Sequence, residues 1–279
     1  MSMSDQGSIQ EALRYRDAAA RRGTLVEIVN RSGFCSVADL SDRLGVSRMT
    51  VRRDIQQLEQ DRKVRSAHGG VAALLPQGGG THIQFRSLEQ SEAKQAVAAK
   101  AVALIEDRPD ATVGFDAGTS AFEVARRLHP QRSIRVVTHS LLVMNELSGR
   151  PNVEVIGVGG VLHPETQAFA GPGTVSALER YRLETLLLTT SSIHEEMMYC
   201  GNAFDADTKR ELMRIAERII LLADSSKLRK VSPFDVNPVS AVDTVIIDSE
   251  ITDEELESLQ ATGVETIVAP LAGGENGEP

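Results

Sequence analysis

From Val113 onward the chain repeats one pattern: a short apolar run, a polar or glycine-bearing turn, then a stretch with helical spacing. The apolar runs are Val113 to Phe115, Ile134 to Val137, Val153 to Val158, Leu183 to Leu188, Ile219 to Ala223, Thr244 to Ile247 and Glu265 to Val268. Strands parted by helices of this length pair in parallel, so the pattern predicts an open, doubly wound α/β sheet. Ligands of such sheets gather beyond the carboxyl ends of the strands, often with an anion at a helix N-terminus.

Two turns suit that position. Asp116-Ala117-Gly118-Thr119-Ser120 follows the first run, where Gly118 lets backbone N–H groups come close while Thr119 and Ser120 bring hydroxyls to a helix start. Thr138-His139-Ser140 repeats the arrangement after the second run, and Gly159-Gly160 closes the third. Each turn alone is equally readable as a plain helix cap, but two in succession favour a phosphate pocket. Lys209, after the loop Asn202 to Asp205, is placed to meet a phosphate as a point charge, or else is a solvated helix lysine. Lys227, in Asp224-Ser225-Ser226-Lys227, is a second-rank candidate. Neither turn matches a P-loop or dinucleotide fingerprint, so no cofactor is expected.

The front of the chain follows another plan. Val37 to Leu44 has helical apolar spacing, Gly45 suits a tight turn, and Ser47 can cap a second helix carrying Met49, Val51, Ile55 and Leu58 inward. Arg48, Thr50, Arg52 and Arg53 are left outward, residue types that meet phosphates and base edges in a DNA groove. A solvated charged face is the plain alternative, but helix, glycine turn, cap and second helix together spell a helix-turn-helix. A helix from about Ala12 to Val29 backs the pair. Lys63 to Ala72 reads as strand, glycine turn and strand, a wing whose Lys63, Arg65 and His68 can follow a phosphate backbone. Pro76-Gln77-Gly78-Gly79-Gly80 is a flexible joint, after which Ser87 to Ile105 reads as one long helix. The expected division is a disordered start at 1–15, a winged helix-turn-helix at 16–75, a linker at 76–86, an α/β effector-binding and oligomerisation domain at 87–270, and a flexible tail at 271–279.

The net charge of −9 speaks against a nucleic-acid partner only until it is divided. Residues 1–80 hold 12 Lys+Arg against 9 Asp+Glu, whereas the remainder holds 18 against 30. A mildly basic head on an acidic body fits an operator-binding module with a separate regulatory domain. Cys35 and Cys200 lie far apart without a pairing pattern, which suits reduced thiols in a cytoplasmic protein. No apolar run approaches a membrane span, the six histidines show no ligand spacing, and no nucleophile elbow marks a catalytic serine.

Arg22 to Val71, centred on Ser47 to Ile55, resembles the N-terminal domain of DeoR-family bacterial repressors. The second domain is similar to that family's sugar phosphate isomerase-like sensor through Phe85-Arg86, Asp116 to Ser120, Val137 to Ser140, Gly159 to Leu162, Phe169 to Pro172, Lys209-Arg210 and Leu222 to Lys227. The resemblance implies an oligomeric repressor of carbohydrate or polyol catabolism, released from double-stranded operator DNA by a phosphorylated sugar or polyol. In one place the chain departs from the family. Where relatives carry an acidic Gly-Ala-Asp-Gly loop, this sequence reads Thr189-Thr190-Ser191-Ser192-Ile193-His194. Without those carboxylates a base for aldose–ketose isomerisation is missing, and a lone His194 is a weak substitute. Two alternatives stay open: a phosphosugar isomerase fused to a DNA-binding head, and a constitutive DNA binder whose α/β domain only oligomerises.

Overall fold

The computed structural model describes residues 18, 20–29, 34–61, 63–67, 70–73, 83–106 and 111–271. The expected disordered start, His68 of the wing, the glycine joint at 76–80 and all but the first residue of the tail lie outside them. Contacts divide the chain into two units, Met1–Glu89 and Gln90–Pro279.

In the first unit α1 (20–29) buries Leu25 and Val29. Strand β1 (Phe34–Ser36) leads into α2 (Val37–Leu44), where Ser36 Oγ accepts from Asp39 N and Gly45, at φ 64°, ends the helix. Helix α3 (Arg48–Gln60) starts on Ser47, whose Oγ accepts from Thr50 N. Strands β2 (Val64–Ala67) and β3 (Gly70–Ala73) form the hairpin read from the sequence, and β1 pairs with β3 to give the order β1-β3-β2. The wing is therefore a three-stranded sheet. Three residues are too few for alternation to reveal β1 beforehand. Leu25, Val29, Leu40, Val51, Ile55, Leu58, Val64 and Val71 share one core. Met49, expected in that core, is 76% exposed. It stands a third of a turn or more from the buried residues of α3, and apolar character alone did not place it.

The expected single helix over Ser87 to Ile105 is two, α4 (Ile83–Leu88) and α5 (Ser91–Glu106). Gln90 breaks the run at φ 53°, a left-handed backbone no helix accommodates.

The main sheet of the second unit is built from seven strands: β4 (Thr112–Phe115), β5 (Ile134–Thr138), β6 (Val153–Gly157), β9 (Thr185–Thr189), β12 (Ile219–Leu222), β14 (Thr244–Asp248) and β15 (Glu265–Ala269). They form one all-parallel sheet in the order β15-β14-β12-β9-β4-β5-β6. Alternate residues serve opposite faces. Val136, Leu187, Ile220 and Ile246 join a core with α5, α6 (Thr119–Arg127) and α7 (Leu141–Leu147). Val137, Leu186, Leu188, Leu221, Val245 and Ile247 join another with α8 (Pro172–Leu178), α9 (Ala203–Arg214) and α10 (Asp253–Ala261). Apolar residues on both faces explain why β9, β12 and β14 read as nearly unbroken runs.

Two antiparallel additions sit in the connections: a hairpin of β7 (Val161–His163) and β8 (Ala168–Ala170), and a sheet of β10 (Ser192–His194), β11 (Met197–Cys200) and β13 (Phe234–Pro238). No helix among the described residues is long and apolar enough to cross a membrane.

Candidate effector site and DNA-binding face

Strand order reverses between β4 and β9: β5 and β6 continue to one side, β9 and β12 to the other. A crevice beyond the carboxyl ends at such a reversal is the usual ligand position, and Asp116 stands there, one residue past β4. It is fully buried. Its Oδ2 accepts from Thr189 N at 2.9 Å, from Thr189 Oγ1 and from the Lys209 ammonium, while Oδ1 faces His139 Nε2 at 3.3 Å. His139 Nδ1 lies 2.8 Å from Phe169 O, which can only accept, so Nδ1 donates.

Lys209, expected to be available to a phosphate, is 3% exposed and paired with Asp116 inside the protein, with Asp205 Oδ1 at 3.5 Å. Burial opposes ionisation of Asp116, but the Lys209 charge and the His139 hydrogen bond overcome it and hold the carboxyl far below the ordinary carboxylate range. Burial likewise opposes the Lys209 charge, which Asp116 and then Asp205 push above the ordinary lysine range. A carboxylate this hard to protonate is a poor general base. Nearby Cys200 is pushed up to about 12, mainly by burial and then by Asp205, so its thiol stays protonated and inert.

The other expected residues divide. Thr138 Oγ1 donates to Phe115 O and accepts from Ser140 N, and Ser140 Oγ accepts from Val143 N to cap α7. Ser140 thus caps α7, while Thr138 ties the turn to the end of β4. Gly159 and Gly160 are exposed past the end of β6, where Gly159 O accepts from Thr174 Oγ1. At α6 Gly118 is the cap residue and no side chain caps the helix, while Thr119 and Ser120 lie buried in its first turn. The reason for Gly118 is space. A Cβ there would fall inside the Thr189 side chain.

Sequence reasoning missed Thr189, because nothing local says that β9 lies beside β4. It also missed Ser192, fully buried with an Oγ that makes no hydrogen bond. Asp205 was legible as the i, i+4 partner of Lys209. Beyond β12, buried Asp224 accepts from Ser226 Oγ and has Lys227 Nζ 3.5 Å from its Oδ2. His194 is exposed at the end of β10, 3.7 Å from Glu195. Among the described residues no three His, Cys, Asp or Glu side chains gather as a metal site.

In the first unit Arg48, Arg52, Arg53, Lys63 and Arg65 are exposed. Thr50 is half-buried, its hydroxyl 2.9 Å from the capping Ser47 Oγ, so the two hydroxyls are engaged with each other. Buried Asp54 accepts from Arg21 Nε at 2.6 Å and Nη2 at 3.2 Å, tying α3 to α1. Glu59 accepts from Ser66 N and Oγ, tying α3 to β2.

The sequence profile of the DeoR-like helix-turn-helix domain matches residues 21–77, and that of the DeoR C terminal sensor domain matches residues 89–249. The HTH-type transcriptional regulator GlpR of Haloferax volcanii is 32% identical over 91% of this chain and 98% of its own. A putative aga operon transcriptional repressor of Escherichia coli O157:H7 is 30% identical over 91% and 95%. The glycerol-3-phosphate regulon repressor of Escherichia coli K12 is 28% identical over 82% and 90%. With both profiles matched in order and relatives aligned over nearly their whole length, this chain belongs to the DeoR family of helix-turn-helix transcriptional regulators.

Proposed function

We propose that this regulator is a cytoplasmic repressor of carbohydrate or polyol catabolism, with no enzymatic activity of its own. Its winged helix-turn-helix, residues 16–75, holds double-stranded operator DNA through Ser47, Arg48, Thr50, Arg52, Arg53, Lys63 and Arg65. Its α/β domain, residues 87–270, binds a phosphorylated sugar or polyol and joins copies into a dimer or tetramer. The observation that carries the effector reading is the start of α6: first-turn amides with no side-chain cap, at the reversal of strand order, beside a fixed polar cluster. Amides so placed favour an anion.

In this reading Gly118, Thr119 and Ser120 face the phosphate. Asp116, His139 and Lys209 hold the loop in shape, Thr138 and Ser140 brace the neighbouring turn, and Gly159 and Gly160 border the site. The name of one relative, the glycerol-3-phosphate regulon repressor, supports a phosphorylated effector, and that name together with the putative aga operon transcriptional repressor supports the direction of control. Effector binding lowers operator occupancy if it favours the arrangement with lower DNA affinity.

The test uses the full chain. Ribose, fructose and glucosamine phosphates and glycerol 3-phosphate are screened by thermal shift, then for release of an operator selected from random duplexes. An effector at 100 times its Kd stabilises its site by about 2.7 kcal/mol. A shift with operator release and no product is the expected result. Isomerised product would support the enzyme reading, and no shift with any compound would support the constitutive binder.

A further inference from the structure

The outward side of α3 differs from the one the sequence singles out. Val51, Asp54, Ile55 and Leu58 are buried, so the opposite side of the helix carries Met49, Arg52, Arg53 and Gln56, spaced i, i+3, i+4 and i+7. All four are exposed. Arg48 and Thr50 fall to the two flanks of this stripe, and the Thr50 hydroxyl is already engaged with Ser47.

We propose that Met49, Arg52, Arg53 and Gln56 are the base-reading face of α3, with Met49 packed on the 5-methyl group of a thymine in the major groove. The proposal rests on the operator-binding reading above and deepens it. Among the major-groove edges of the four bases only thymine offers a methyl group. Methionine has no hydrogen to donate, and its flexible thioether adapts to an apolar surface. Met49 sits in the first turn, the part of a recognition helix that meets base edges. Arg52 and Arg53 suit guanine, Gln56 suits adenine, and Arg48 and Thr50 on the flanks suit the phosphates of the groove walls.

The experiment selects a binding site for the full-length protein from a random duplex library, then replaces each thymine in turn with uracil, which lacks only the methyl group. At one position in each half-site the replacement weakens the wild type about four-fold, the effect of losing one buried methyl. Met49→Ala, which removes nothing from the core, binds the thymine duplex more weakly, and the same replacement costs it nothing more. A selected site without thymine, or equal losses for wild type and Met49→Ala at every position, overturns the proposal while leaving operator binding intact. Failure to select any sequence overturns the operator-binding reading and this proposal with it.

Discussion

Replacing Asp116 by Asn keeps the shape of the side chain and removes the charge on which four groups converge. Asparagine can still accept from Thr189 N and Lys209 through an oxygen in the Oδ2 position, but that oxygen is neutral and the amide nitrogen then turns toward His139 Nε2. Lys209 is left 97% buried, with Asp205 at 3.5 Å as its remaining carboxylate. Stranding one member of a buried pair costs about 3–5 kcal/mol. Asp205 is partly solvated and compensates in part, which puts the expectation near the lower end, about 3 kcal/mol. For a unit of this size that corresponds to a fall in Tm of about 6–12 °C in the transition of the α/β domain. Calorimetry on the full chain reads that transition, and Lys209→Met alone and combined with Asp116→Asn completes a double-mutant cycle. The double variant should recover much of the loss, because an apolar stem of similar length no longer needs a counter-charge. A loss below about 0.5 kcal/mol in Asp116→Asn, or strictly additive effects in the cycle, would refute the pairing as the organising interaction of the site.

The same pair sets a pH dependence. The folded carboxyl of Asp116 lies below its ordinary 3.8, so its contribution is complete above that value and is lost as pH falls; Lys209 is raised above 10.5, so its contribution is complete below that value and is lost as pH rises. The stability difference between wild type and Asp116→Asn, from denaturant titrations, should shrink between about pH 6 and about pH 3; a constant difference would contradict the assignment. Gly118→Ala should cost about 1–3 kcal/mol by driving Thr189 off Asp116, and should impair effector response at effector concentrations that saturate the wild type. Arg52→Ala should weaken operator binding by about 1–3 kcal/mol in a mobility-shift titration with effector binding unchanged; unaltered affinity would remove Arg52 from the DNA face.

Much of this architecture is written in local pattern. The Ser47 cap, the Gly45 turn and the apolar spacing of α2 and α3 act over a few residues, and such short-range chemistry shows in sequence directly. The central parallel strands are equally plain, because burial on both faces makes Leu186 to Leu188, Ile219 to Leu222 and Val245 to Ile247 unbroken apolar runs. Other features depend on what lies across space. Strand β1 exists because β3 supplies its hydrogen bonds, and Met49 points outward because the side of α3 turned to the core is the one that carries Val51, Ile55 and Leu58. Asp116, Thr189 and Lys209 are up to 93 residues apart, and only the placement of β9 beside β4 brings them together. The sequence alone therefore determined which residues bear charge and hydroxyls at the strand ends. Tertiary structure decided that the lysine meets a buried carboxylate, because strand order and the depth of each side chain are properties of the assembled sheet.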